Sequence, residues 1–386
     1  MKKKIVAITG YRSDYTKLKS VFDAITRNDN LHLQIVVFGA HTSADCGDTF
    51  KQIEADGFEI EQILYTHIQG SNTDSMVRSV GISLLDLSST LNRLKPDATL
   101  IVGDRYEIMA AALSSCINNI PVIHIQGGEI SGTIDETLRH SITKLSHIHF
   151  PSTEKSAQRI IQMGENPDCV FNVGCPAIDY ILNQEYLKPN DMNLLAPYNE
   201  LNIDFTKDYA IIIQHPVTTQ CPRSYVQMKT TLEALQEVGL KSILVYPNPD
   251  AGALKMVKAI RSFDAKYGGK SIICEKVKNL SFEIYLNLLK NAKCIIGNSS
   301  SGIREAHAFN VPAINIGNRQ EGRERTLNIV DVPHNKREII RAIKRVEKNS
   351  IRVENIYGDG TAGQQISTTI ESIDFDALPT KRFYDK

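Results

Sequence analysis

Short apolar, β-branched runs alternate with longer segments of helical period along almost the whole chain. In the first half, residues 5–9, 33–38, 98–102, 122–125 and 170–173 predict strands. Segments 15–28, 74–95, 106–118, 136–145 and 153–163 carry a helical repeat between them. The strand runs lack strict apolar–polar alternation, as expected of a parallel sheet covered on both faces. The rhythm breaks over 182–208, where Pro189, Asn190, Asp191, Asn193 and Pro197 cluster without a period and a linker is expected. It restarts with strands at 210–214, 242–246, 271–274, 294–296 and 313–316, separated by helices at 224–237, 252–262, 281–290, 302–309 and 335–348. Residues 363–373 read as a last helix before a polar end. The fold class expected from this pattern is α/β: two Rossmann-like domains in series, facing a cleft. The expected boundaries are 1–185, 186–365, and a C-terminal helix and tail over 366–386 that packs back on the first domain.

Composition narrows the function. The 386 residues hold 44 Lys plus Arg and 44 Asp plus Glu, so no bulk field gathers nucleic acid or an anionic membrane, and an anionic ligand needs a local constellation. No apolar stretch approaches the roughly 20 residues that span a bilayer. Lys2-Lys3-Lys4 ahead of a short apolar run reads as the start of a strand, not a signal peptide. The seven cysteines (46, 116, 169, 175, 221, 274 and 294) are scattered without metal spacing, which suits reduced thiols in the cytoplasm.

Ligands of open parallel sheets bind beyond the carboxyl ends of the strands, and that is where the chemistry-bearing residues stand. Gly297-Asn298-Ser299-Ser300-Ser301-Gly302 follows one predicted strand and opens a predicted helix. Small residues there let backbone N–H groups and serine hydroxyls approach a phosphate, although the same spelling suits a plain helix cap. Glu305 on the first helical turn can accept both hydroxyls of a ribose. GxxxxGK[ST] is absent, and Gly10-Tyr11-Arg12-Ser13-Asp14-Tyr15 stands where a dinucleotide fingerprint would, so neither ATP nor NAD is favoured. Arg12 either reaches a phosphate or is a solvated turn residue. Asp104, in Gly103-Asp104-Arg105, is either a general acid/base or the cap of the next helix.

His124-Ile125-Gln126-Gly127-Gly128-Glu129 ends another strand, with His124 flanked by Ile123 and Ile125 in the manner of a core histidine. In the following helix Asp135 and Arg139 are four apart, as are Glu136 and His140, so each pair shares a face. In the second half, Gln214-His215-Pro216 places His215 where it can serve a leaving oxygen as a cation or a hydrogen-bond donor. Asn248 lies in a polar turn, and Arg319 and Arg323 in a loop after a strand, each able to meet phosphate or base.

Taken together, Gly10-x-Arg12-x-Asp14-Tyr15, Gly103-Asp104-Arg105, Gly127-Gly128-Glu129, Asp135-x-x-x-Arg139-His140, Gln214-His215-Pro216, Gly297-Asn298-Ser299-Ser300 and Gly317-x-Arg319-Gln320 resemble the hydrolysing UDP-N-acetylglucosamine 2-epimerases over nearly the whole chain. That resemblance implies the glycosyltransferase-B fold and a homodimer or homotetramer. It also implies a UDP-sugar and UDP as the only ligands, with no cofactor and no metal. The implied reaction converts UDP-N-acetylglucosamine and water to N-acetylmannosamine and UDP, at the head of sialic-acid-type pathways. UDP is eliminated to a 2-acetamidoglucal, and water then adds. By resemblance Asp104 is the catalytic carboxylate and Glu305 holds the ribose, while Ser299, Ser300, His215 and Arg319 stabilise the departing diphosphate. Arg12, Asp14, Asn248, Asn298, Ser301 and Gly302 join the UDP and substrate contacts, and Arg139 the catalytic group. One departure stands out: family members of the sialic-acid type carry a glutamate where this chain has Gln126, and an amide cannot carry a proton at neutral pH. Glu129, Asp135 or Glu136 then takes that role, or Asp104 serves both steps, or the substrate is instead UDP-N,N'-diacetylbacillosamine. A non-hydrolysing epimerase, a glycosyltransferase of the same fold and a catalytically silent sugar-nucleotide sensor remain alternatives.

Overall fold

The structure, a computed structural model, describes residues 2–195, 198–346, 355–378 and 380–385. Twelve strands form two parallel sheets. The first comprises β1 (Lys3–Thr9), β2 (Leu31–Val37), β3 (Ile60–Ile63), β4 (Ala98–Val102), β5 (Val122–Ile125) and β6 (Ile148–Phe150) in the order β3-β2-β1-β4-β5-β6. The second comprises β7 (Ala210–Ile213), β8 (Ser242–Val245), β9 (Ile273–Val277), β10 (Cys294–Gly297), β11 (Ala313–Ile316) and β12 (Ile329–Val332), in the order β12-β11-β10-β7-β8-β9. Renumbered from its own first strand, the second sheet repeats the topology of the first. Strand order therefore reverses between β1 and β4 and again between β7 and β10, and each reversal leaves a crevice at the carboxyl edge for a ligand.

The central strands are buried on both faces, as the missing alternation predicts. Ala98–Val102 and Val122–Ile125 are buried at every position. The long amphipathic helices cover the sheets: Arg12–Thr26 sends Leu18, Val21, Phe22 and Ile25 into the first core. The last helix, Ala362–Ser372, crosses back from the second half and adds Ala362, Ile366 and Ile370 to that same core. Its first turn is capped from the first half, by Asp179 accepting the backbone N–H groups of Ala362 (3.0 Å) and Gly363 (2.6 Å).

Some expectations change. Residues 170–173 form no strand; Val170 makes only an isolated bridge to His149, and the sheet edge is β6 instead. The edge strands β3 and β12 are additional. Within the 182–208 linker a short helix, Pro189–Leu194, is seeded by Pro189 at its first position, whereas Pro197 lies outside the described residues. The helix expected at 335–348 is Lys336–Arg345, and its last two expected residues lie outside the described set.

Candidate active site

The segments that follow β1, β4, β7 and β10 meet across the cleft between the sheets and wall a cavity. Arg12, Lys17, Arg105 and Arg139 line it from the first sheet's side, and Arg304, Arg319 and Arg323 from the second. Against these seven cations stand two lining carboxylates, Asp104 and Glu305. A chain with no formal net charge thus carries a local excess of cations at this cavity, as a site for a polyanion requires.

The second sheet supplies the wall opposite Asp104. Gly297 ends β10 with φ +139°, and a Cβ there would sit 2.0 Å from the Ile213 carbonyl oxygen, so only glycine lets this strand end press against β7. Asn298 then brackets His215: its Oδ1 accepts the His215 backbone N–H (2.7 Å) and its Nδ2 donates to the His215 carbonyl (2.9 Å). The His215 Nδ1 accepts the Asn248 N–H at 3.1 Å, which leaves the ring proton on Nε2. Burial first, with Arg319 and Arg12 adding, holds this imidazole well below its ordinary pKa. His215 is therefore a neutral hydrogen-bond donor, and the cationic form expected as one option is disfavoured.

Of the three serines, Ser299 accepts the Ser301 backbone N–H (3.3 Å) as a cap, and the Ser301 hydroxyl meets that of Tyr285. The Ser300 hydroxyl lines the cavity with no hydrogen bond among the described residues. The helix expected over 302–309 is instead a 3-10 turn, Ser300–Gly302, followed by the single turn Glu305–Ala308. So short a helix has little dipole, so anion attraction here rests on the arginines. Glu305 is buried, and its Oε2 has no hydrogen-bond partner among the described residues.

On the first sheet's side, Asp104 is held by ion pairs with Arg139 and, at 3.6 Å, Arg323. Arg105 bridges Glu107 (2.9 Å) and Asp250 (3.2 Å) and stacks 4.7 Å over the Tyr11 ring. Gln126 sits at φ +64°, a conformation rarely held by a buried non-glycine residue. Its Nε2 lies 3.1 Å from the Cys175 sulfur, and its Oε1 is unpartnered.

Several predicted residues do not reach the cavity. Asp14 turns inward to accept the N–H groups of Gly10 (3.2 Å) and Tyr11 (3.1 Å); its carboxyl is pushed up to about 6 by burial, which Lys17 partly offsets. Glu129 lies behind the wall, clamped between Arg304 and Arg323 (2.8 Å). Burial acts to raise its pKa, but Arg304 and Arg323 outweigh that and hold it below the usual carboxylate range. Glu136 accepts the Ser131 backbone N–H (2.8 Å), Asp135 pairs with Arg319 (3.3 Å), Asn298 is scaffold, and Gly302 faces Ala313. His124 is a core residue, its Nε2 bonded to the Gly103 carbonyl at 2.8 Å.

The structure adds residues the sequence reading missed. Lys17 lines the cavity and has no hydrogen bond or ion pair among the described residues; burial, with Arg304 next, draws its ammonium down to about 8. Its signal was a lysine set among Tyr15, Leu18 and Val21 on the buried face of a helix. Leu280, Phe282 and Tyr285 give the cavity an aromatic and apolar corner beside Glu305. The sequence reading placed Phe282 and Tyr285 only within an expected helix over 281–290.

Comparison with known proteins agrees along the full length. A family model described as UDP-N-acetylglucosamine 2-epimerase matches residues 23–371. A UDP-N,N'-diacetylbacillosamine 2-epimerase (hydrolyzing) of Legionella pneumophila is 34% identical over 374 residues, covering 97% of each chain. A UDP-N-acetylglucosamine 2-epimerase of Neisseria meningitidis is 32% identical over 99% of each. Among solved structures, the Methanocaldococcus jannaschii UDP-GlcNAc 2-epimerase in complex with UDP-GlcNAc and UDP superposes with a TM-score of 0.78 at 20% identity, covering 95% of this chain and 99% of that one. At that identity the superposition establishes the shared two-sheet fold.

Proposed function

The chain belongs to the UDP-N-acetylglucosamine 2-epimerase family, and from that premise we propose that it hydrolyses a UDP-2-acetamido sugar with inversion at C2. The observation that carries the reading is the cationic cavity that Asp104, His215 and Ser300 line together. We assign 1–185, with the returning C-terminal helix from Ala362, as the sugar-side unit, and the part between them as the UDP side. The diphosphate takes the Ser300 hydroxyl, the Nε2–H of His215 and the guanidinium of Arg319. Glu305 accepts from the ribose hydroxyls through its open Oε2, and the Phe282 corner receives the uracil.

In the first step Asp104 removes the proton at C2. The C1–oxygen bond breaks, UDP leaves with the electron pair, and a C1=C2 double bond forms. Charge builds on the departing diphosphate, where preorganised donors have the most effect. In the second step water adds its hydroxyl to C1, and a proton returns to C2 on the opposite face. The sum is sugar nucleotide plus water to UDP plus the 2-epimeric free sugar. Glu129 is a poor proton carrier, since both its oxygens serve arginines, and Asp104 is the carboxylate left for the work. Gln126 offers its free Oε1 as an acceptor to a substrate N–H or a water and transfers no proton.

Among the described residues no helix is long and apolar enough to cross a membrane. The seven cysteines are all free thiols, which supports a cytoplasmic setting. Exposed Ile82 and Leu85 on the Thr73–Leu94 helix support self-association. Supplying a nonulosonic-acid route is the role such a product suits.

The test is to incubate the protein with UDP-N-acetylglucosamine, and with its 4-acetamido-4,6-dideoxy counterpart, in deuterated water without acceptor. Free 2-epimeric sugar with deuterium at C2, together with UDP, is the expected result. An intact epimeric sugar nucleotide points to the non-hydrolysing reaction, and UDP release only with an acceptor to a transferase. Asp104→Asn should lower kcat by a factor on the order of 10^3 while UDP still binds; retained turnover removes the assigned role.

A further inference from the structure

Asp104 is aimed by the turn that precedes it. Gly103 stands at φ +80°, in the left-handed region, and its N–H is held by the Ile125 carbonyl of the neighbouring strand at 2.9 Å. The oxygen of the next peptide, which joins Gly103 to Asp104, is held by the Nε2 of His124 at 2.8 Å. A carbonyl only accepts, so the ring proton is on Nε2 and Nδ1 is left as an acceptor. Burial draws this imidazole down to about 3, so it stays neutral. The Thr143 hydroxyl lies 3.3 Å from Nδ1 and donates to it. The fit is close: a Cβ on Gly127 would stand 2.9 Å from the Thr143 hydroxyl and 3.0 Å from His124 Nδ1.

Thr143 belongs to the last turn of the helix Ile134–Leu145, whose final carbonyls have no intrahelical partners. Their partner comes from the other end of the chain. Lys381 donates from Nζ to the carbonyls of Thr143 (3.2 Å) and Ser146, and pairs with Glu165 at 2.6 Å. An ammonium has three N–H donors, and these acceptors take all three. Glu165 does not depend on this lysine for its charge, since Lys144 (2.5 Å) and His149 (3.1 Å) also meet it. What Lys381 adds is an anchor for the two carbonyls and a cation at the negative end of the helix. The tail is pinned beside it, with the Tyr384 N–H donating to the Gly164 carbonyl at 2.9 Å. One turn earlier in the same helix, about 6 Å along its axis, stands Arg139, which holds the Asp104 carboxylate. We propose that Lys381 is a positioning residue for the hydrolysis: through Thr143 and His124 it fixes the Gly103–Asp104 peptide, and through the helix it seats Arg139. This rests on the hydrolytic reading above and adds to it that the catalytic carboxylate is aimed from outside the cavity, by the C-terminal tail.

The UDP donors Ser300 and His215 stand on the second sheet's side, outside this chain of contacts, so rate and affinity should part. The experiment measures UDP release, UDP affinity and amide hydrogen exchange in the native protein and in full-length Lys381→Met, Thr143→Val, Thr143→Ser and the double variant Lys381→Met/Thr143→Val. The substrate is whichever of the two sugar nucleotides above the native protein turns over. A misplacement of about 1 Å costs on the order of a hundredfold, and a loosened support costs less, so kcat should fall about tenfold in Lys381→Met with UDP affinity within about twofold of native. Thr143→Val keeps the shape without the hydroxyl and should cost about as much, while Thr143→Ser should recover most of that loss. Acting on one path, the two losses should not multiply in the double variant. Exchange in Lys381→Met should quicken at 103–105 as well as at 143–146. The proposal is overturned by a native kcat in Lys381→Met, by kcat and UDP affinity falling together, by a double variant showing the product of the two losses, or by exchange that quickens at 143–146 alone. Quickened exchange at 103–105, with no UDP released by the native protein from either sugar nucleotide, would sustain the link to Asp104 and defeat the hydrolytic reading.

Discussion

Replacing Glu129 by glutamine separates two roles that the sequence alone leaves open. If Glu129 carries a proton, Glu129→Gln should lower kcat by about 10^2 to 10^4 and leave stability alone. The structure makes a different claim. The carboxylate is buried, with Arg304 on both oxygens and Arg323 at 2.8 Å, so the substitution leaves two buried guanidiniums around a neutral amide. Removing one partner of a buried pair destabilises by about 3–5 kcal/mol. Arg323 keeps Asp104 at 3.6 Å, which argues for the lower end, about 3 kcal/mol. With an unfolding entropy of about 2.1 cal/mol/K per residue, a chain of 386 residues loses about 4 °C of Tm. The assay pairs thermal unfolding with UDP release at saturating substrate. The expectation is a Tm lower by about 4 °C, with kcat reduced less than about tenfold. Saturating UDP should restore part of the Tm, since an anion in the cavity answers the freed charge. An unchanged Tm with kcat down a hundredfold or more would refute the clamp and return Glu129 to the chemistry.

Two further outcomes follow from the same geometry. Ser300→Ala should weaken UDP binding by about 1 kcal/mol, near fivefold, whereas Ser299→Ala should cost a similar amount of stability and little affinity; the reverse pattern in calorimetric titration would show that the cap and the ligand donor have been interchanged. Asp14 titrates near 6 in the folded chain against an ordinary value of 3.8, so it favours the folded state fully below pH 3.8 and less as pH rises through 6. Asp14→Asn keeps an acceptor for Gly10 and Tyr11 and removes that loss, worth about 3 kcal/mol. The variant's Tm should therefore rise relative to the native chain as pH goes from about 3.8 to 6 and level off above that, and a gap that stays constant across this window would exclude the assignment.

The strands of the two sheet centres were legible because they are buried, predominantly apolar runs followed closely by glycines, and the observed β4, β5 and β11 coincide with the expected spans. The edges were not. β3 and β12 are half-exposed and carry Glu61 and Asp331, so they lack the buried-strand signature, while Ile148–Phe150 is too short to show a period. In the site, residues placed by a strand end, such as Asp104, His215 and Ser300, could be read directly. Roles that depend on a partner from the other half could not. Nothing local to Glu129 announces Arg304 and Arg323, and nothing in Asp14 distinguishes a capping carboxylate from one facing a ligand.

The helix Ala362–Ser372 also has a consequence for the order in which the protein can form. Synthesis runs from the N-terminus, and domains ordinarily fold as they emerge. Here the first sheet lacks Ala362, Ile366 and Ile370 until almost the whole chain has been made, and Phe22 and Leu18 have an incomplete surface to pack against meanwhile. The second sheet, whose core is complete by Val346, can close before the first does. The earlier half to be translated is therefore the later half to be finished, and a chain truncated ahead of Ala362 would hold a folded C-terminal sheet beside an N-terminal one still missing its cover.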